Sequence, residues 1–490
     1  MFIYLIIISL LAITAISFNL PAKRVSIIAA ALNLLIGIQL CFFNDLAQSS
    51  VELMGLASLK DEGEFFKMGL AITSSNMGLI ILTLLVTLAV FVIPELADKD
   101  AKFQTICSWL ISLGCLLAFA AQDVIFFYAF HELALIPTFL MLGRYGKRAK
   151  ESTAWKMMIY LAFGSLVLLA GILLLVIKAG AVSFSGLAAS VAAESINYHD
   201  QVWIAGLLLL GFGTLISLFP FHSWAPHTYA NSPTATSMLH AGVLKKFGLL
   251  GLWQIGIAFV PQGMAYWTPT LCVLLLGNII FMGLVTINQR KIDDMLAHSS
   301  VMHMGYLFLA LVVLIYNPSS QLAYQGFMIL MVAHGLSTAL LFGLSDVIKR
   351  RTGTFHFEDL GGLGKSMPKL CLLFAIATMA ALGLPSLGNF TGEFLIFFSA
   401  FDTYRSSGEW TMLTTTTVIS LWGIVISATY GLRSFRAVFQ GASNTYLTQR
   451  MESQSIKDIK FSAWIVSIIL IIALFILGIS PQLFIQHFAS

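Results

Sequence analysis

Phe219-Pro220-Phe221-His222-Ser223-Trp224-Ala225-Pro226 interrupts an apolar stretch over 202–258, and Gly383-Leu384-Pro385-Ser386-Leu387-Gly388-Asn389 interrupts another over 369–401. Proline removes a backbone donor and glycine loosens φ, so both stretches predict broken helices. Broken backbone is tolerated inside a bilayer only where it is buried in protein or lines a cavity. Taken singly, either break serves equally well as a kink between packed helices. Their spacing says more. Counted along the chain, the breaks fall on the seventh and the twelfth apolar runs, and paired interruptions of this kind point to an internal repeat with the functional site at the breaks.

The runs lie at about 2–20, 25–43, 70–93, 103–121, 124–142, 157–177, 202–219, 233–258, 269–288, 295–315, 322–345, 369–401, 412–432 and 462–484. Each is long enough to cross a hydrocarbon core of roughly 30 Å. Of the 490 residues 58% are hydrophobic and 10% charged, with a mean hydropathy of +0.89. A soluble domain carries about 25% charged residues. The composition therefore predicts an all-α polytopic membrane protein of about fourteen transmembrane helices and excludes a soluble catalytic domain. No low-complexity linker, nucleic-acid-binding patch or Gly-rich nucleotide loop interrupts the pattern. The five cysteines (Cys41, Cys107, Cys115, Cys272, Cys371) sit in or beside apolar runs without a close C-x-x-C pair, which reads as core packing rather than a cluster site. The first run lacks a basic leader and is followed by Lys23 and Arg24, so it reads as a first span rather than a cleaved signal peptide.

The net charge of +4 matters less than where the charges fall. Twenty-one Lys and Arg follow odd-numbered runs, among them Lys23, Arg24, Lys99, Arg144, Lys147, Arg148, Lys349, Arg350, Arg351 and Arg450. Only Lys60, Lys67, Lys178 and Arg405 follow even-numbered ones. The positive-inside rule then predicts fourteen spans with both termini on the non-cytoplasmic side of a bacterial inner membrane.

Ionisable side chains inside a span cost several kcal/mol and mark functional positions by default. Glu132 lies mid-run in Phe130-His131-Glu132-Leu133-Ala134-Leu135-Ile136-Pro137, Lys245 and Lys246 lie in the eighth run, and Glu393 lies just past the second break. A structural ion pair or a side chain snorkelling to the interface is the plainer reading of each. His222, His298, His303 and His334 join them, and each alone reads as a hydrogen-bonded packing residue. Together they supply groups whose protonation burial and neighbouring charge can tune, with water to bridge the gaps. A metal site is the competing use. The spacing argues against one, because His131 and Glu132 are adjacent and point apart on a helix, while His298 and His303 are five apart.

These motifs resemble the antiporter-like membrane subunits of respiratory complex I and its relatives, nearly end to end. Phe130 to Pro137 is similar to the family's F-W-E-L-x-L-I-P, and Phe219 to Pro226 to its F-P-L-H-x-W-L-P. Ser299-Ser300-Val301-Met302-His303-Met304-Gly305 resembles S-S-x-S-H-M-G, and Ala333-His334-Gly335-Leu336 resembles A-H-G-L. Leu382 to Phe394 resembles L-G-L-P-G-x-x-x-F-x-x-E-F. Glutamate at position 393 and the stop soon after the last run resemble the subunit-4 (chain M) type.

The resemblance implies two inverted five-helix repeats, about 103–258 and 269–438, flanked by helices in 1–93 and 461–484. It implies proton movement driven by NADH:quinone electron transfer elsewhere in the complex. NADH and quinone would be bound by other subunits, the partners would be other membrane-arm subunits and the lipid bilayer, and this chain would hold no cofactor or metal. Glu132, Lys246, His303, His334 and Glu393 would form the proton path, with His131, His222, Lys245 and His298 secondary. Three positions depart from the family pattern: Leu215 where a lysine is expected, His131 where a tryptophan is expected, and Gln289-Arg290-Lys291-Ile292-Asp293-Asp294 in place of Q-x-D-[IL]-K-R. Leu215 leaves Glu132 without its expected cation. His131, His222 and Lys245 are the candidates to compensate, with His222 at the break best placed. The alternatives are a subunit of a multisubunit Na+/H+ antiporter or membrane-bound hydrogenase, a non-pumping structural subunit, and a self-contained solute transporter. The last would need a polar substrate pocket that the sequence does not supply.

Overall fold

Lipid offers no partner for backbone N–H and C=O groups, so an apolar run that crosses it must satisfy them internally, and here it does so as helix. The computed structural model describes residues 2–43, 51–53, 68–94, 100–442, 446–447 and 457–488. Lys60, Lys67, Lys99 and Arg450, counted above among the loop charges, lie outside them. Among the described residues eleven helices are long and apolar enough to cross a membrane, and two shorter apolar helices accompany them.

The chain begins with α1 (Phe2–Ser17) and α2 (Ala22–Phe43), followed by strands β1 (Val51–Leu53) and β2 (Met68–Leu70). The strands pair antiparallel, and Leu70 bridges Ala121. The all-α expectation is thus corrected at one point. A connection too charged to span, with Asp45, Glu52, Lys60, Asp61, Glu62, Glu64 and Lys67 in its sequence, satisfies the backbone of its described residues in a ladder.

Next come α3 (Ser74–Val92), α4 (Ala101–Ala120), α5 (Val124–Tyr145), α6 (Lys150–Ala179), α7 (Phe184–Ala192), α8 (Tyr198–Ile216), α9 (Trp224–Asn231), α10 (Thr234–Leu239) and α11 (Lys246–Gly251). A π-helical turn at His240–Leu244 joins α10 to α11 in one rod, and a second at Leu252–Ile257 continues it. A third π-turn, Gly277–Phe281, links α12 (Pro261–Leu276) to α13 (Met282–Ile287). The remaining helices are α14 (Ile292–Tyr316), α15 (Gln321–Thr352), α16 (Leu363–Ser366), α17 (Pro368–Ala381), α18 (Gly388–Ser407), α19 (Met412–Ser420), α20 (Trp422–Phe439), α21 (Phe461–Ile479) and α22 (Pro481–Phe488). The expected run 157–177 is longer as observed, because α6 starts at Lys150, whose ammonium turns back to the Arg144 carbonyl (3.2 Å).

α15 is the axis of the bundle. Its most apolar stretch is wholly buried, and it packs against α3, α14, α17, α18 and α21. α5, α6, α12 and α21 each leave a wide apolar face outward, as a bilayer or neighbouring subunits require.

Both expected breaks are present. α8 ends at Ser217, whose φ is +74°, and the chain passes a cis Phe219–Pro220 bond before resuming as α9. The backbone groups freed there are met by one side chain in the third π-turn. Asn278 accepts from Phe219 N (2.8 Å) and donates to the Ser217 and Val301 carbonyls (3.0 Å each). Trp224 Nε1 also spans the break to the Thr214 carbonyl (2.9 Å). The second break, between α17 and α18, turns at Gly383 (φ +70°) and Ser386 (φ +77°).

Candidate functional site

The α10 to α11 rod and α15 cross at two glycines. A Cβ on Gly335 would stand 2.6 Å from the Gly242 carbonyl, and one on Gly242 would stand 3.1 Å from the Gly335 carbonyl. Only bare backbones approach so closely. One turn beyond Gly242, the approach brings Lys246 Nζ to 2.8 Å from Nδ1 of His334. Lys246 and His334 are both buried. The π-turn at His240–Leu244 lies immediately before the two lysines, a common setting for such turns at functional sites. It leaves Lys245 directed at α14, where its ammonium meets Ser300 Oγ (2.7 Å) and the Ser300 carbonyl (3.0 Å).

From His334 the line continues to His303, with ring centroids 6.0 Å apart. A cavity of about 10 Å³ touches both rings and is lined also by Ser299, Ser300, Thr338 and Asn389. By volume that is room for about one water, and the lining supplies the polar partners it needs. His303 Nδ1 then stands 3.5 Å from Glu393 Oε1, close enough for an ion pair but without hydrogen-bond alignment. Tyr430 fixes the imidazole from the other side, its hydroxyl meeting His303 Nε2 (3.1 Å) and Ser299 Oγ (2.7 Å). Glu393 lies over the second break. A Cβ on Gly383 would fall 2.7 Å from Glu393 Oε2, so the glycine serves both the left-handed turn and the carboxylate. Lys246, His334, His303 and Glu393 thus form one buried line of protonatable groups.

Glu132 is held apart from that line. Its carboxylate accepts from Ser165, whose hydroxyl also meets Tyr128 (2.9 Å), and it lies 3.4 Å from His131 Nδ1. His131 stacks on Phe247, next in sequence to Lys246, with centroids 4.1 Å apart. The imidazole therefore links the two regions through an aromatic contact. The Glu132 side chain is 34% exposed. It opens onto a face of α5 where Leu133, Ile136 and Leu140 are exposed. Leu215 is buried. The best-placed compensator is corrected: His131 contacts Glu132, whereas His222 stacks on Phe219 (5.3 Å) beside Phe281 (6.3 Å). The break holds the His222 ring in that aromatic slot. His298 is also outside the line, its Nδ1 turned to the Asp294 carbonyl (2.7 Å) on its own helix.

The sequence reading missed Ser165, Ser300 and Tyr430, because a hydroxyl in a span is ordinary and only tertiary contact shows which ones hold a charge. It also missed His240. Buried polar atoms of Thr228, Tyr229, Ser232, Thr236 and His240 have no hydrogen-bond partner within the described protein. Such atoms are met by ordered water. The Tyr229 ring lies 5.1 Å from the Lys245 ammonium, and Thr234, in the same stretch of chain, lines a cavity of about 430 Å³ together with Tyr145, Lys147 and Asp346. Burial holds Lys147, in the loop after α5, below the usual lysine range, against the pull of Asp293 and Asp346. Its neighbour Arg148 reaches Asp293 (2.5 Å) and Asp294 (3.2 Å), tying this loop to the start of α14. Among the described residues no three His, Cys, Asp or Glu side chains gather as metal ligands.

Broken helices around a buried lysine, histidine and glutamate line define a membrane subunit of the antiporter-like class. The chain belongs to the family described as NADH:quinone oxidoreductase/Mrp antiporter, TM, whose model matches residues 121–421. It is 31% identical over 422 residues to NAD(P)H-quinone oxidoreductase chain 4 1 of Synechococcus elongatus, covering 84% of this chain and 75% of that one. Chain 4 3 of Trichormus variabilis is 30% identical over 421 residues, covering 85% and 76%. In fold the chain is similar to a chain of respiratory complex I from Thermus thermophilus, with a TM-score of 0.83, 24% identity, and 100% and 97% of the two chains covered. It is also similar to a chain of the Mrp complex from Dietzia sp., with a TM-score of 0.79, 16% identity, and 100% and 96% covered.

Proposed function

We propose that this chain is a proton-translocating subunit of an NADH:quinone oxidoreductase, carrying protons through its membrane interior while electron transfer occurs in other subunits and holding no redox group itself. The observation that carries the reading is the buried line from Lys246 through His334 and His303 to Glu393. Every step in it is a direct contact or a gap the size of one water, which is what a proton needs and more than a packing role requires. The names of its relatives favour the quinone-linked complex over the Mrp type.

The same reading has the chain crossing the inner membrane fourteen times with both termini on the non-cytoplasmic side. The eleven spanning helices, the shorter α1, the α10 to α11 rod, and α17 with α18 supply those crossings. Breaks in the seventh and twelfth crossings agree with repeats at about 103–258 and 269–438. The outward face of α5, with Glu132 among exposed leucines and isoleucine, fits cover by a neighbouring membrane-arm subunit rather than by lipid, which penalises a half-exposed carboxylate.

The test is to tag this chain in its native membrane, list the subunits that co-purify, and measure NADH-driven proton uptake in proteoliposomes of the complex. Redox subunits should co-purify, and Glu393→Gln should lower proton uptake in a complex that still assembles. A stable monomer that exchanges sodium for protons without redox subunits overturns the reading.

A further inference from the structure

Thr228, Ser232, Thr236 and His240 recur at every fourth residue along α9, α10 and the π-turn that follows. Within a helix that spacing is about one turn, so the side chains of each pair share a side. All four residues are buried, and the three hydroxyls and His240 Nδ1 have no hydrogen-bond partner within the described protein. Other buried threonines of the spans turn the hydroxyl back to the carbonyl four residues earlier, as Thr138, Thr268 and Thr286 do. The row at 228–240 forgoes that bond. Buried polar atoms in this state are met by water, and a succession of them suits a file of water better than a packing contact.

Both ends of the row adjoin features of the site. Two residues before Thr236, Thr234 lines the cavity of about 430 Å³, with its hydroxyl on Asp346 (2.7 Å). Lys147 and Lys349 place that cavity on the face of the bundle where Lys and Arg concentrate. At the other end the His240 ring lies 5.4 Å from the Tyr229 ring, which lies 5.1 Å from the Lys245 ammonium. Lys245 in turn donates to Ser300 Oγ (2.7 Å), and Ser300 lines the cavity of about 10 Å³ that touches His303 and His334. Because this hydroxyl accepts from the ammonium, its own hydrogen can point into that cavity.

We propose that Lys245 is a second proton-carrying lysine, which joins the large cavity to the buried line by way of the 228–240 row and Ser300. The inference rests on the reading that this chain carries protons. A proton arriving along the row binds the neutral Lys245 amine. On release an N–H bond of the ammonium breaks, the Ser300 oxygen takes that proton, and the hydroxyl's own proton moves to the small cavity and on to a histidine. Lys246 times the release. The two lysines are adjacent and buried, and among the described residues no carboxylate pairs with either ammonium, so a charge on Lys246 expels the proton from Lys245.

The experiment uses the intact complex in proteoliposomes and reads protons taken up per NADH oxidised, with the melting temperature of each preparation alongside. Lys245→Met should lose uptake to the level of Glu393→Gln. Lys245→Arg keeps a cation and its donors but does not give up a proton, so it should lose uptake as the methionine variant does. Thr236→Val removes only a hydroxyl without a protein partner, so uptake should fall while the melting temperature holds; this variant serves if neither Lys245 variant assembles. Normal uptake in Lys245→Met beside impaired Glu393→Gln overturns this inference and leaves the proposed function standing. Normal uptake in both overturns that function. Wild-type uptake in Lys245→Arg overturns the inference as well, because a lysine needed only as a fixed cation is replaced by arginine, and unchanged uptake in Thr236→Val overturns the path from the cavity.

Discussion

Lys246→Met separates stability from transport. Lys246 is fully buried, and among the described residues no carboxylate lies within ion-pair distance of its ammonium. Methionine is close to it in length and apolar volume. Replacing a buried charged group by a well-packed apolar one is often stabilising by about 1–4 kcal/mol. Against that, His334 loses its 2.8 Å partner, and an unsatisfied buried imidazole nitrogen costs about 1–3 kcal/mol. Thr338 Oγ1, 3.4–3.5 Å from the ring nitrogens, recovers part of this. The balance is a complex as stable as wild type or slightly more so. Transport behaves oppositely, because the proton reaching His334 must now cross an apolar slot without a group to carry it. Even about 3 kcal/mol added to that step slows it about a hundredfold. The assay pairs proton uptake per NADH oxidised in proteoliposomes with the melting temperature of the same preparation. A normal proton stoichiometry would refute the argument, since the lysine would then be a packing residue. A large fall in melting temperature would refute it as well, since the ammonium would have to be stabilised by something the contacts do not show.

Asp123 caps α5 by accepting from Phe126 N (2.7 Å), and its burial pushes the carboxyl up from 3.8 to about 6. A raised carboxyl stabilises the fold fully below about pH 3.8 and loses that contribution as pH rises through about 6. Asp123→Asn, which keeps a capping acceptor, should therefore flatten the pH dependence of melting and stabilise above pH 6 by up to about 3 kcal/mol; an unchanged slope counts against it. Asn278→Leu strips two backbone groups of the first break, and the Val301 carbonyl of α14, of their partner and should cost about 2–4 kcal/mol, read as a lower melting temperature of the complex. Gly383→Ala forces a Cβ against the Glu393 carboxylate at a left-handed turn, so proton uptake should fall along with stability, by about 1–3 kcal/mol. A variant that melts early yet pumps normally would show that the carboxylate does not depend on the break.

Length and apolarity made the spans and both breaks legible in the sequence, because a bilayer leaves the backbone so few alternatives. Lys246, His303, His334 and Glu393 were legible for a related reason: a charge in an apolar run stands out whatever its partners. What the sequence did not carry was who touches whom. His222 lies at the break, yet an aromatic slot takes it, and the residue beside Glu132 in sequence makes the contact instead. Nothing in the sequence singles out Asn278, since an amide in a span is ordinary; only the fold sets it against backbone groups freed at the first break. Hydroxyl partners such as Tyr430 depend on how α14 and α20 are brought together, which periodicity does not encode.

The π-turn at His240–Leu244 also bears on how the lysine pair is held. A π-turn closes its hydrogen bond one residue later than an α-turn, so it holds one residue more than α geometry would. After the turn, Gly248 lies against Ile216 and Gly251 against Phe212, contacts too tight to tolerate a rotated helix. Deleting Lys245 should then close the turn to ordinary α geometry, leave residues 246–257 in their present register, and keep Lys246 on His334. The turn thus sets Lys245 and Lys246 on separate partners, Ser300 and His334, and a chain without Lys245 would keep the second of these contacts.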